Sequence, residues 1–64
     1  MRVRELLFDI EVWGSEEIRS ADGPILIRKL KNGHYHACFA KNNYKVYELS
    51  KAGLIQFLQN VREE

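Results

Sequence analysis

The chain has 64 residues, a formal net charge of +1 at neutral pH and one cysteine, Cys38. This length predicts a single small domain over residues 1–64 with a thin core, and a lone cysteine excludes an intrachain disulfide that would support it. No apolar run is long enough to cross a membrane, so we expect a cytoplasmic protein that self-associates as a homodimer to complete its core.

Residues Arg2 to Trp13 alternate between apolar and polar side chains. One face carries Leu6, Phe8, Ile10 and Val12, and the other carries Glu5, Asp9 and Glu11. A period of two residues predicts a half-buried β-strand. Residues 14–23 are predicted to be a loose connection, in which Ser15-Glu16-Glu17 could cap one helical turn and Asp22-Gly23-Pro24 forms a turn.

Two pairs of residues, Asn32-Gly33 and Asn42-Asn43, predict tight two-residue hairpin turns, because glycine and asparagine tolerate a positive φ. The strands that flank these turns are Pro24–Lys31, His34–Lys41 and Tyr44–Leu49. Together with the first strand they make a four-stranded antiparallel meander.

The last element is predicted to be a helix that begins after Ser50, a favourable N-cap residue. Leu49, just before the cap, can pack on Leu54. The apolar residues of this segment recur at helical spacing, and they are Leu54, Phe57, Leu58 and Val61. The predicted fold is therefore an α+β domain of β-β-β-β-α order, with the C-terminal helix packed on one face of the sheet.

Two-residue turns would fix which side chains share a face of the sheet. The helix is expected to cover the face that carries Ile25, Ile27 and Leu49. The opposite face is then an open platform on which Tyr35, Phe39 and Tyr44 lie beside Arg28 and Lys41. The reverse assignment places Leu26, Leu30, Phe39 and Val46 in the core, and periodicity alone does not separate two half-apolar faces.

The charges are segregated along the chain. Residues 1–22 carry a net charge of −3, whereas residues 28–51 carry six basic residues against Glu48, a net charge of +5. Aromatic and basic side chains on one sheet can stack on bases and contact phosphates. The leading hypothesis is a non-enzymatic domain that binds single-stranded or duplex nucleic acid through Arg28, Lys29, Lys31, Tyr35, Phe39, Lys41, Tyr44 and Lys45. In the alternative interpretation these lysines belong to a solvated face and deter aggregation at edge strands.

A rival hypothesis is a protein-interaction module, such as a small inhibitor or adaptor. Val3, Leu7 and Trp13 would form an apolar stripe on the acidic face of the first strand, and Trp is enriched at binding hot spots. The stripe is suited to self-association or to docking on a basic partner.

His34, His36 and Cys38 would follow one another along one face. Cationic neighbours on that face repel a metal ion, so neither a metal nor a cofactor is expected. A minor alternative is a metal-independent, ribonuclease-like toxin, because histidines can act as acid and base while cations stabilise the phosphorane. Its candidate residues are Arg28, Lys29, His34 and His36.

Overall fold

The computed structural model of the chain describes residues 2–61. Its elements are helix α1 (Val3–Trp13), strands β1 (Ser15–Ser20), β2 (Gly23–Lys29) and β3 (Tyr35–Phe39), a 3₁₀ turn (Ala40–Asn42), strand β4 (Lys45–Leu49) and helix α2 (Lys51–Asn60). The four antiparallel strands form one open sheet in the order β1-β2-β3-β4. The α+β class, the four-stranded meander and the C-terminal helix are thus confirmed, and an N-terminal helix is added.

The prediction of a strand over Arg2–Trp13 is wrong, because this segment is α1. Its inward residues follow helical spacing rather than alternation: Ile10 is fully buried, and Val3, Leu6 and Leu7 pack partly buried against the same core. The helix ends at Gly14, which adopts a left-handed conformation with φ of 80° and donates its N–H to the carbonyl of Ile10. The apparent alternation came from Phe8 and Val12, which are exposed.

The first strand of the sheet is instead β1, which lies in the segment predicted to be a loose connection. Among its six residues only Ile18 and Ser20 are buried, so the sequence carries little period-two signal. The predicted turn follows β1: Asp22 donates its N–H to Ser20 Oγ (3.2 Å), and that hydroxyl donates to the carbonyl of Gly23 (2.7 Å). Strand β1 is therefore a polar edge strand that a tight turn joins to β2.

The first predicted hairpin turn is present with one more loop residue than expected. Leu30 donates its N–H to the carbonyl of His34 (2.8 Å), and Gly33 donates to the carbonyl of Leu30 (3.3 Å). Lys31, Asn32 and Gly33 form the loop, and Gly33 has φ of 84°. This is the three-residue loop in which a turn is followed by a left-handed residue. Lys29 consequently pairs with Tyr35.

The second hairpin is also shifted by one residue relative to the prediction. Its loop contains the 3₁₀ turn and two residues with positive φ, Asn43 and Tyr44, so that Phe39 pairs with Lys45. Two shifts of one residue turn β3 over while β2 and β4 keep their predicted faces. The residues beneath the helices are therefore Ile25 and Ile27 from β2, as predicted, together with Tyr35, Ala37 and Phe39 from β3.

Helix α2 begins as predicted. The Ser50 side chain accepts a hydrogen bond from the Gly53 N–H (3.1 Å), and Leu49 packs against the core that contains Leu54. Leu54 and Leu58 are fully buried, and α2 packs on the same face of the sheet as α1. Within residues 2–61, neither helix has the length and apolar composition needed to cross a membrane.

Candidate interaction surfaces

The predicted aromatic platform is not on the open face of the sheet. Tyr35 is only 2% exposed, and its hydroxyl donates a 2.6 Å hydrogen bond to Glu11 Oε1 of α1. The ammonium group of Lys29 binds the other oxygen of the same carboxylate. These two bonds hold the pKa of Glu11 below its ordinary value, and the bond to Glu11, together with burial, raises the pKa of Tyr35 to about 12. Tyr35 and Lys29 therefore attach α1 to the sheet.

Phe39 lies on the helix side of the sheet as well. Its ring packs edge to face on Phe57 of α2, with ring centroids 5.7 Å apart, and on Tyr47 of β4 at 5.5 Å. Of the three predicted stacking residues, only Tyr44 is exposed. The geometry of an open platform with three aromatic rings was a wrong prediction, because the register of β3 differs by one residue from the predicted register.

The remaining predicted phosphate contacts are dispersed. Arg28 lies on the open face of β2, and Lys31 lies in the β2–β3 loop. The stem of Lys41 packs over Gly23, where a Cβ would come within 2.7 Å of Lys41 Cδ, and Lys45 Nζ lies 5.2 Å from the centroid of the Tyr47 ring. Among the side chains of residues 2–61, none of these four cations forms a salt bridge.

The two histidines lie near Glu48 at one end of the open face. His34 Nδ1 is 2.6 Å from Glu48 Oε2, and His36 pairs with Glu48 across β3 and β4. The bond to His34 lowers the pKa of Glu48. Lys29 projects to the opposite side of the sheet from Arg28 and His36, so the four residues of the ribonuclease-like alternative do not converge. Within the described chain, no three His, Cys, Asp or Glu side chains are placed to hold a metal ion.

The outer surface of α1 is unusually apolar. Phe8 and Val12 lie one helical turn apart, and Trp13 ends the helix about 100° around its axis from Val12, with 66%, 54% and 75% of these residues exposed. We call these three residues the α1 patch. Of the predicted apolar stripe only Trp13 belongs to it, because Val3 and Leu7 face the core. Glu5 and Asp9 occupy the same helix, so the α1 patch has an acidic border.

A second apolar surface crosses the open face of the sheet. Strand register places Leu26 beside Cys38 and Cys38 beside Val46. We call these three residues the apolar row. Glu17 of β1 lies beyond Leu26, whereas nothing in residues 2–61 lies beyond Val46, because β4 is the last strand of the sheet.

The two outer strands differ in character. Strand β1 has the sequence SEEIRS, whereas β4 has the sequence KVYEL. Charged residues protect a free strand edge, and an apolar edge invites pairing with another strand. Val46 and Tyr47 of β4 are exposed, and Tyr44 directly precedes the strand. On the helix side, β4 borders a groove of about 450 Å³ lined mainly by the apolar residues Ala37, Phe39, Tyr47, Leu49 and Phe57.

Tyr44 carries backbone strain at the start of this edge. Its φ of 56° lies in the left-handed region, which costs a residue with a side chain about 1–2 kcal/mol. The Cys38 thiol donates a 3.7 Å contact to the Tyr44 carbonyl and thereby joins the loop to the apolar row. Strained residues of this kind concentrate at functional sites, where the surrounding structure maintains them.

Sequence reasoning missed Phe8 and Val12 of the α1 patch and Val46 of the β4 edge. The signal for Phe8 and Val12 was present, because they are the apolar residues of α1 that do not fit its helical stripe. Comparison of the chain with protein-family models, with curated proteins and with solved structures gives no match in any of the three.

Proposed function

We propose that the chain is a non-enzymatic protein-interaction domain that docks on a partner protein through the α1 patch. The observation that carries the proposal is the exposure of Phe8, Val12 and Trp13 together on one helix. Exposed apolar clusters with a polar border are typical of protein-binding sites, and Trp is one of the residues that most often dominate binding energy.

The acidic border specifies the chemistry of the partner. Helix α1 carries Glu5, Asp9 and Glu11 against Arg4, and Glu11 is held by Lys29 and Tyr35. Glu5 is paired with Arg2, whereas Asp9 forms no salt bridge among residues 2–61 and favours a partner that presents an apolar pocket with a basic border. The sequence analysis also expected a basic partner, but it expected this partner to bind a strand, whereas the segment that would bind it is helix α1.

The test compares a double substitution, Phe8→Ala with Trp13→Ala, with the wild-type chain as bait for proteins of its native host. Because both side chains are exposed, we expect the free energy of unfolding to change by less than about 0.5 kcal/mol per site. A specific partner should be recovered with the wild-type chain and lost with the double variant. Leu26→Ala, which removes an exposed apolar side chain of the open face, is the matched control and should retain it.

The fluorescence of Trp13, the only tryptophan in the chain, reports directly on the α1 patch. Addition of the purified partner should shift the emission to shorter wavelength and protect Trp13 from a soluble quencher. Equal recovery of the partner by the double variant, or unchanged Trp13 emission on binding, contradicts docking through the α1 patch.

Nucleic-acid binding is the second candidate function. It is favoured by the four cations without a salt bridge among residues 2–61, Arg28, Lys31, Lys41 and Lys45. Titration of labelled single-stranded and duplex oligonucleotides at two salt concentrations tests it by fluorescence anisotropy. Contact with phosphates predicts affinity that falls as salt rises, with a logarithmic slope of about −0.9 for each phosphate of duplex DNA.

Exchange of Lys31 and Lys45 for glutamate should weaken such binding, whereas Lys29→Gln, at a lysine already bound to Glu11, is the control with a smaller effect. The absence of binding at low salt contradicts this second candidate and leaves these cations as solvated residues of the surface.

A further inference from the structure

We infer that the β4 edge is the interface of a symmetric homodimer, in which β4 pairs antiparallel with β4 of a second copy, with Val46 opposite Val46. The occupant is a second copy of this chain because the pattern of β4 complements itself in one register. The inference is independent of docking through the α1 patch.

The geometry of the sheet limits the possible registers. Odd-numbered residues of β4 face the helices and even-numbered residues face the open side, as the pairs Ala37–Tyr47 and Cys38–Val46 require. With a two-fold axis perpendicular to the sheet, the helices of both copies lie on the same side of the joined sheet. Directly opposite residues must then share a face, so one residue of β4 lies opposite its own copy and the axis lies midway between the two.

Charge excludes two of the five possible centres. An axis at Lys45 places two lysines opposite each other, and an axis at Glu48 places two carboxylates opposite each other. An axis at Leu49 pairs only Leu49 within β4, because α2 begins at Lys51, whereas an axis at Val46 pairs three residues of β4 and an axis at Tyr47 pairs all five. Two centres remain, Val46 and Tyr47.

Matching of apolar groups selects Val46. An axis at Tyr47 would place Val46 opposite Glu48 and Lys45 opposite Leu49, so neither apolar side chain would face another apolar one. An axis at Val46 places valine opposite valine and Lys45 opposite the Tyr47 ring of the other copy. The second pair repeats between copies the cation–π contact that Lys45 already makes within one chain.

The Val46 register also continues one surface of the monomer. The apolar row of one copy meets that of the other, so that Leu26, Cys38 and Val46 extend into a line of six side chains across an eight-stranded sheet. On the helix side, Tyr47 of the second copy lies beside Lys45, at the first residue of β4. Pairing thus covers the first three residues of the β4 edge, Lys45, Val46 and Tyr47.

The first experiment measures mass in solution by sedimentation across a range of concentrations. The wild-type chain should reach twice its monomer mass of 7.5 kDa. Val46→Lys places two ammonium groups opposite each other and should raise the dimer dissociation constant by about tenfold or more. Glu17→Lys, on the other edge strand, is the matched control and should leave the constant unchanged. A wild-type chain that stays monomeric at every concentration overturns the dimer.

The second experiment tests the register by oxidative cross-linking in a Cys38→Ser background. Serine retains a donor for the Tyr44 carbonyl and prevents a disulfide between position 38 and the neighbouring position 46. Directly opposite residues have Cβ atoms about 4.5–5.5 Å apart, which is within reach of a disulfide after a small adjustment. Val46→Cys should give a covalent dimer, and Tyr47→Cys should not.

Cross-linking of the Tyr47→Cys variant in place of the Val46→Cys variant overturns the Val46 register. The variants distinguish failure of the β4 dimer from failure of docking through the α1 patch. Phe8→Ala with Trp13→Ala should leave the dimer intact, whereas Val46→Lys should leave the α1 patch able to bind its partner as a monomer.

Discussion

Tyr35 shows how one side chain can carry a large part of the tertiary organisation. It lies on β3, is buried beneath the helices, and its hydroxyl donates to Glu11 of α1. Lys29 of β2 binds the same carboxylate, so three elements meet at Glu11. The sequence-based prediction placed Tyr35 in contact with nucleic acid, and a buried hydroxyl bonded to a carboxylate is poorly suited to that role.

We expect Tyr35→Phe to lower the free energy of unfolding at neutral pH by about 1 kcal/mol, because the ring stays buried while one hydrogen bond to Glu11 is lost. Urea denaturation measures this change. Tyr44→Phe, at an exposed tyrosine, is the control and should leave the denaturation midpoint unchanged. An equal effect of both substitutions would contradict a role for the Glu11 bond.

The same hydroxyl makes stability depend on alkaline pH. The pKa of Tyr35 is raised from 10.0 to about 12 in the folded chain. The contribution of this group to stability is therefore complete below pH 10 and is lost as the pH rises through 12. In Tyr35→Phe this part of the alkaline loss should be absent, which denaturation at pH 9 to 12 can measure. The other groups that titrate at alkaline pH are the same in both chains and provide the baseline.

At the scale of elements, helix α1 begins without a side-chain cap. Arg2 occupies the N-cap position and makes no capping bond, while Glu5 stands at the third helical position. Arg2→Ser would complete the capping box of a hydroxyl residue followed three positions later by glutamate. We expect an increase of about 0.5–1 kcal/mol in the free energy of unfolding, after loss of the exposed Arg2–Glu5 ion pair.

Arg4→Ser is the matched control for this prediction, because it removes the same charge from the same turn without supplying a cap. Thermal and urea denaturation compare the two variants. If Arg2→Ser were no more stable than Arg4→Ser, the start of α1 would not limit the stability of the fold.

The elements that could be predicted are those with local chemical signals. Ser50 marks the start of α2, and Asn32-Gly33 and Asn42-Asn43 mark the two hairpins. The pairing register could not be predicted, because a positive φ at Gly33 suits both a two-residue and a three-residue loop. Choosing the wrong loop length reversed β3 and, with it, the predicted environment of Tyr35 and Phe39.

Two further predictions were wrong, namely a strand at α1 and a loop at β1. The first error arose from exposed apolar residues of α1, and the second from exposed polar residues of β1. Phe8 and Val12 made α1 resemble a strand, because they are apolar where an isolated amphipathic helix is polar. Strand β1 was missed because Ile18 is its only buried apolar residue. Places where local pattern and structure disagree are often functional sites, and α1 carries the surface that we propose for the partner.

At the scale of the whole molecule, the proposed pairing through β4 would link stability to concentration. A dimer that forms only from folded chains is stabilised by mass action, so the melting temperature of the wild-type chain should rise with protein concentration. The melting temperature of the Val46→Lys variant should not change with protein concentration. Scanning calorimetry over a range of concentrations measures the difference, and parallel behaviour of the two chains would contradict the dimer.

The proposed dimer would also determine where the α1 patches lie. Helix α1 packs on β1 and β2, whereas α2 adjoins β4, so pairing through β4 leaves one α1 patch near each end of the eight-stranded sheet. Two separated and equivalent sites permit bivalent attachment to a partner that is itself repeated. Bivalence can raise the apparent affinity by about two orders of magnitude or more without a new contact.

Strand β1 would give the proposed dimer a defined size. After β4 has paired, both outer borders of the joined sheet are copies of SEEIRS, each carrying Glu16, Glu17 and Arg19. A third chain that paired with either border would contact the charged side chains of Glu16, Glu17 and Arg19 instead of an apolar strand. Its addition would therefore be unfavourable. Strand β1, which the sequence analysis did not predict, would therefore limit the assembly to two chains and prevent the sheet from growing into a fibre.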